Sequence, residues 1–137
     1  MGVPIFAPHV EDYLRPYYDG LAAGELRLSA DPDTGAWLWY PPEVIPGKPG
    51  KALVWRTVPG EGVVYSFTTV VRSLLPGDHS AEVPFTVVLV EIDAAPGVRV
   101  PGLYVDAGEA PAACGQRVTL KPVKAGDWTV AGFTPIA

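Results

Sequence analysis

The spacing of apolar residues changes twice along this chain. Between about residues 8 and 28, Tyr13, Leu14, Tyr17, Tyr18 and Leu21 recur at intervals of three and four, which places them on one helix face. Gly24 suits the position just past a helix end. Pro16 divides the stretch into two short pieces, because a proline inside a helix removes a hydrogen bond and clashes with the preceding turn. Over about 26–58 the helical period gives way to short extended stretches, ELRLSA, AWLWY and ALVWRTV, set between Pro/Gly-rich turns. That texture predicts two small hairpins or knuckles. A period of two in AWLWY puts Trp37 and Trp39 on one face, with Leu38 and Tyr40 on the other.

From residue 62 onward the pattern is that of strands. Five runs rich in β-branched residues, GVVYSFTTVVRS, PFTVVLVEID, VRVPGLYVD, QRVTLKPVK and WTVAGFTPI, are separated by turn chemistry at Gly77-Asp78, Pro96-Gly97 and Gly126-Asp127. Alternation in the first run predicts that Val63, Tyr65, Phe67 and Thr69 share a face. Five strands, the first long enough to bend across two sheets, suit a small barrel of the OB type. The AGEAPAACGQ stretch falls where such barrels insert a short helix or loop. The fold class is thus mainly β: short N-terminal helices over 1–25, a turn-rich segment over 26–58, and a five-stranded OB-fold domain over 59–137.

Composition narrows the function classes. At 137 residues with 48% hydrophobic content, the chain can bury a core without staples. A formal charge of −5 argues against a nonspecific nucleic-acid binder, which concentrates positive charge to displace phosphate counterions. Cys114 is the only cysteine, so neither an internal disulfide nor a cysteine-rich metal site can form; a small core or loop-filling role is expected for it. The start shows no basic leader or long apolar region, and no window is apolar enough to span a membrane, which reads as a soluble cytoplasmic protein. Met1-Gly2 opens a myristoylation pattern, but Phe6 stands where Ser or Thr is needed.

The order of parts resembles a known family. Tyr17-Tyr18-Asp19-Gly20-Leu21-Ala22, then Gly24, is similar to an entry-helix motif; Tyr40-Pro41-Pro42 follows, and Gly62-Val63-Val64-Tyr65-Ser66-Phe67-Thr68 resembles a first barrel strand. In this arrangement the chain resembles the zinc-ribbon/OB-fold family of acyl-CoA-associated proteins, long catalogued as a domain of unknown function. The resemblance covers almost the whole chain and implies that 26–58 is a rubredoxin- or zinc-ribbon-like segment. Family members carry a Cys-x-x-Cys-Gly knuckle on each side of the Tyr-Pro-Pro segment. Here those places are held by residues 30–35 and by 46–50, without a cysteine. The carboxylates of Asp31 and Asp33 alone cannot rebuild a tetrahedral zinc site, so the ribbon is expected to be degenerate and metal-free.

The missing ion raises a question of stability. A structural zinc contributes an apparent ~10–16 kcal/mol in isolated fingers, whereas a compatible proline saves only about 0.4–1 kcal/mol of unfolded-state entropy. Burying Trp37, Trp39 and Trp55 adds roughly 1.5–3 kcal/mol each, provided that another surface covers them. The former ribbon is therefore expected to pack on the barrel, the helices or a partner subunit.

Reactive groups are sparse. Asp78, His79 and Ser80 are adjacent in one turn, a placement that rarely satisfies the geometry of a triad. His9 reads as a helix-entry residue. Cys114 has no activating base nearby in sequence. Glu91 and Asp93 share a strand face near its end, where an exposed terminus explains them, and Pro59-Gly60-Glu61-Gly62 lacks the strand-loop-helix context of a phosphate cradle. Lys48, Lys51, Arg56 and Arg72 are candidates for the phosphates of coenzyme A, with solubilising surface charge as their ordinary alternative. An oligonucleotide groove on the second and third barrel strands would have Phe85, Glu91, Asp93 and Tyr104, with Arg99 as the single cation, a poor set for stacking along a phosphate backbone.

The resemblance implies a non-catalytic accessory subunit that binds a thiolase-like acyl-CoA enzyme, a thiolase or a retro-aldolase, in lipid or steroid side-chain metabolism. It would form a hetero-oligomer, bind no cofactor of its own and help hold a CoA thioester at a shared site. Tyr17, Tyr18, Trp37, Trp39 and Trp55 are the expected contact anchors, with internal packing as their alternative. The rival readings are a partner of a hot-dog-fold enoyl-CoA hydratase, an OB-fold binder of single-stranded nucleic acid, and a free-standing thioesterase or hydratase.

Overall fold

A computed structural model describes residues 7–73 and 83–136; the Gly77-Asp78 turn and the Asp78, His79, Ser80 group lie outside them. Pro16 has the dividing effect expected of it. A short 3-10 helix over Asp12–Leu14 runs into helix α1, Arg15–Ala22, and Pro16 sits in the first turn of α1, where its missing N–H costs no bond. Gly24, at φ +79°, ends the helix: its N–H donates to the Leu21 carbonyl at 3.0 Å, and Glu25 N–H donates to the Gly20 carbonyl at 2.8 Å.

The segment after α1 forms one ladder rather than two hairpins. Strand β1, Leu26–Ala30, pairs antiparallel with β2, Val54–Val58, in register from Leu26 opposite Val58 to Ala30 opposite Val54. The long excursion between them holds AWLWY, which is not a strand. Only a single bridge joins Trp37 to Ala30, and Leu38 N–H donates to the Ser29 carbonyl at 2.9 Å. The prolines at 41 and 42 prevent any continuation of a ladder.

The barrel follows the five-strand expectation with two additions. It closes in the order β3-β4-β5-β9-β6, where β3 is Glu61–Val70, β4 Phe85–Ile92, β5 Arg99–Tyr104, β6 Arg117–Leu120 and β9 Gly132–Pro135. All pairings are antiparallel except β5 with β9, which is the connectivity of an OB fold. The expected fourth and fifth strands are each broken in two: Val123–Ala125 (β7) and Trp128–Val130 (β8) leave the barrel as a separate hairpin around Gly126-Asp127 and pack on α1. The 107–116 stretch is turn and coil.

One β-bulge overturns the expected face of β3. Val64 opposes Val90, but Ser66 opposes Leu89, so Tyr65 is an extra residue. An inserted residue inverts the alternation beyond it. Phe67 and Thr69 therefore lie on the side of Val64, opposite Val88 and Thr86, and not on that of Val63. The core is continuous through the chain: Phe133, Val64, Val88, Val90, Val100 and Val118 fill the barrel, and Tyr17, Leu21, Leu26 and Leu28 extend the same cluster under the helix and the ladder. Among the described residues no helix is long and apolar enough to cross a membrane.

Gly62 lies where β3 pairs with Ile92 on one side and Val118 on the other. A Cβ there would overlap the Glu91 carbonyl oxygen and approach Val90 Cγ1 to 2.7 Å. Gly62→Ala is expected to destabilise the protein by about 1–3 kcal/mol, the usual cost of overpacking, read as a lower urea midpoint at an unchanged slope.

Candidate functional site

Two sites emerge on the face that combines α1, the 31–53 excursion and the outside of the barrel. The first is an aromatic layer. Ring centroids run from Trp128 to Tyr18 at 5.9 Å, Tyr18 to Tyr17 at 5.1 Å, Tyr17 to Trp39 at 5.2 Å and Trp39 to Tyr40 at 5.5 Å. These tilted and edge-on arrangements are the favoured ones for aromatic pairs. The Arg15 guanidinium lies 5.6 Å from the Trp128 ring. Against this layer opens a groove of about 260 Å³ lined by Tyr18, Trp39, Tyr40, Pro101, Leu103 and Val130, among others. Burial raises the phenol pKa of Tyr17, Tyr18 and Tyr40, with neighbouring tyrosines adding to the effect. The rings therefore stay neutral at physiological pH, and the groove offers flat apolar surface and phenol hydroxyls rather than a base.

The second site is an ionic clasp across the excursion. Lys48 Nζ lies 2.8 Å from both Asp31 carboxylate oxygens and 3.0 Å from Asp33 Oδ2, and Lys51 approaches Asp33 at 3.6 Å. Asp31 Oδ1 also accepts the backbone N–H groups of Asp33 at 2.8 Å and Thr34 at 3.1 Å. The clasp thus joins the two stretches, 30–35 and 46–50, where the resemblance places metal knuckles. These residues do not fit a zinc ion: the carboxylates already hold an ammonium, and no group of three His, Cys, Asp or Glu meets among the described residues.

The expected site residues are dispersed among these features. Tyr17 is only 5% exposed and belongs to the core, and it also lines the aromatic groove from beneath. Tyr18, Trp37, Trp39 and Trp55 are half-buried against the core; Trp37 lies beneath the Arg56 guanidinium at 4.3 Å, and Trp55 lines a second hollow with Tyr13, Pro16 and Lys51. The four basic candidates do not converge. Lys48 and Lys51 are in the clasp, Arg56 donates to the Gly35 carbonyl, and Arg72 follows β3 on the barrel. Glu91 meets Arg99 at 3.4 Å and Asp93 holds Arg117 at 2.6 Å, so each acid has an arginine instead of the other. Tyr104 is buried, which removes it from any surface for stacking bases. His9 contacts Glu11 at 2.8 Å in solvent. Cys114 is exposed in a turn, not in the core. Sequence reasoning missed Tyr40 and Trp128 as members of the aromatic layer; the Gly126-Asp127 turn was the signal that Trp128 opens the second strand of a hairpin.

Comparison with known proteins bears on this arrangement. Residues 55–121 match the family model described as ChsH2, C-terminal OB-fold domain. The chain is also similar to a solved structure named Ltp2-ChsH2(DUF35) aldolase, with a TM-score of 0.77, 19% identity, and coverage of 94% of this chain and 98% of that one. That likeness extends the shared fold through the helix and the ladder as well as the barrel. A search of curated protein sequences gives no match.

The clasp sets an acid dependence. The hydrogen bond from Lys48, then those from Asp33 and Thr34 N–H, hold the Asp31 carboxyl down to about 2 from an ordinary 3.8. Lys48 likewise lowers Asp33, and the two carboxylates raise Lys48 above its ordinary 10.5. Carboxyls with depressed folded-state pKa values stabilise fully above about pH 4, and lose that contribution as pH falls toward about 2. The Lys48 contribution is lost only as pH rises beyond 10.5. Lys48→Met is expected to lower Tm at pH 7 by several degrees and to flatten the acid limb. The two proteins should converge near pH 2 in thermal melts.

Proposed function

We propose that this chain is a non-catalytic accessory subunit of a thiolase-like acyl-CoA enzyme, a thiolase or retro-aldolase, working on lipid or steroid side chains. The observation that carries this reading is the likeness to a chain of the Ltp2-ChsH2(DUF35) aldolase over 94% of the present sequence, helix and ladder included. The geometry supports a binding role. The aromatic groove contains neutral phenols and no acid–base pair; Tyr40 in its wall is exposed at 55%, and Val44, four residues on in the same excursion, at 59%. Exposed aromatic and aliphatic side chains around half-buried tryptophans form the pattern of an interface anchor with its surround. Carbon–carbon chemistry then resides in the partner. Coenzyme A would meet this chain only at a shared boundary, with Arg72 and Lys51 as the cations least committed to buried pairs.

The test is co-expression with each thiolase-fold enzyme of the source genome. One of them should co-elute with the chain in size-exclusion chromatography, and carbon–carbon cleavage of β-hydroxyacyl-CoA or β-ketoacyl-CoA substrates, read as formation of the shortened acyl-CoA, should require that pair. Turnover by the isolated chain, or co-elution with a hot-dog-fold hydratase alone, would overturn the reading. Trp37→Ala should weaken the complex by about tenfold or more, the size expected for an aromatic anchor, with a smaller effect on barrel stability measured by urea melts. Equal binding by the variant removes Trp37 from the interface.

A further inference from the structure

Among the described residues, part of one strand edge of the barrel is unpaired. Strand β6 pairs with β3 only at Glu61, Gly62 and Val63, and two further bonds at Val64, to Gln116 and Gly115, complete the contact on that side. Beyond Val64, no described residue pairs with this edge, although β3 continues to Val70 against β4.

The bulge decides which backbone groups face outward. Asp93 N–H donates to the Glu61 carbonyl at 3.0 Å, whereas Val64 N–H donates to Gln116 and its carbonyl accepts from Gly115, both at 2.9 Å. Before the bulge, then, odd residues of β3 face β4 and even residues face away. Tyr65 inverts that order. Ser66, Thr68 and Val70 oppose Leu89, Val87 and Phe85 and bond to β4, which turns the N–H and C=O of Phe67 and Thr69 to the open edge.

Side chains mark the same edge. Tyr65 is 51% exposed, Phe67 43% and Val71 75%. Natural edge strands are guarded by charge, proline or a covering element. Between Gly62 and Ser73 there is no proline, and Arg72 is the one formal charge. Among the described residues only Arg99, stacked on Tyr65 at 3.7 Å, brings a further charge to this edge; a long apolar edge of this kind is suited to pairing with another strand.

We propose that the partner enzyme contributes an extended strand to the open edge of β3, completing the sheet by β-strand addition at Phe67 and Thr69. This rests on the accessory-subunit reading above. The added strand would take hydrogen bonds from both residues, cover Tyr65, Phe67 and Val71 with apolar side chains, and place an acidic residue toward Arg72. A second copy of this chain is the weaker fit, since the protein carries a net charge of −5, and the one acid of β3, Glu61, lies at the far end of the strand beside Arg117.

The experiment uses the full chain and the thiolase-fold enzyme that co-elutes with it, and follows hydrogen exchange residue by residue. Complex formation should slow exchange at the Phe67 and Thr69 amides by about tenfold or more. Thr69→Pro, which removes an outward N–H but keeps the β4 bonds, should weaken the complex by about tenfold, while Thr69→Val keeps the N–H and binds within about twofold. Val71→Lys, at an exposed position, guards the edge without touching the core and should weaken binding even if the proline variant does not fold. A wild-type complex with unchanged exchange at Phe67 and Thr69, or full binding by Val71→Lys, overturns the edge while leaving the accessory role standing. Protection that grows with concentration of the chain alone assigns the edge to self-pairing and overturns the proposal. Absence of any complex with thiolase-fold enzymes overturns both.

Discussion

The structure depends on one strand serving two neighbours. β3 must pair with β4 along its length and with β6 at its start, and this double pairing closes the barrel. The backbones approach so closely at that junction that Gly62 has no room for a Cβ. Immediately afterward the strand must bend away from β6, and the Tyr65 bulge supplies the bend at the cost of one ladder position. The inversion of faces, the placement of Thr69 Oγ1 within 2.8 Å of Thr86 Oγ1, and the open edge all follow from that bend.

The segment between β1 and β2 is held by different means. It contains little regular structure, yet it is tied down at several places, among them the Trp37 bridge to β1, the contact of Trp39 with Tyr17, the Arg56 bond to the Gly35 carbonyl, and the Lys48 clasp. Aromatic burial supplies nondirectional adhesion, and the clasp supplies position. An ammonium between two carboxylates satisfies charge within a narrow range of distance, as a bound cation does, but in solvent its contribution is smaller and sensitive to salt. Stiffened turns with glycines at positive φ at residues 35, 47 and 50 complete the frame.

Exposed apolar groups cluster on two surfaces. One is the aromatic groove shared by α1, the excursion, β5 and β8; the other is the free end of β3. Both are apolar, and among the described residues neither presents a carboxylate or an imidazole. Arginines are largely occupied by intramolecular work: Arg99 stacks on Tyr65 at 3.7 Å while pairing with Glu91, and Arg117 holds Asp93. In those pairs Glu91 and Asp93 each face an arginine rather than each other.

The sequence alone determined the order of elements, because the periods of three to four and of two are local properties that Pro16, Gly24 and the glycine-containing turns punctuate. It also determined the OB architecture, since five β-rich runs with a long first member leave few ways to bury their apolar faces. Tertiary structure decided the rest. AWLWY alternates as a strand does, but it meets β1 at the single Trp37–Ala30 bridge, and Pro41 and Pro42 keep the ladder from extending. The face of Phe67 depended on a bulge that no local residue type announces. Lys48 looked like surface charge because its acids lie 15 and 17 positions away in the chain, and the joining of Trp128 to the aromatic layer required the β7–β8 hairpin to fold back on α1. In the last three cases the deciding contact joins residues far apart in sequence, where periodicity carries no information.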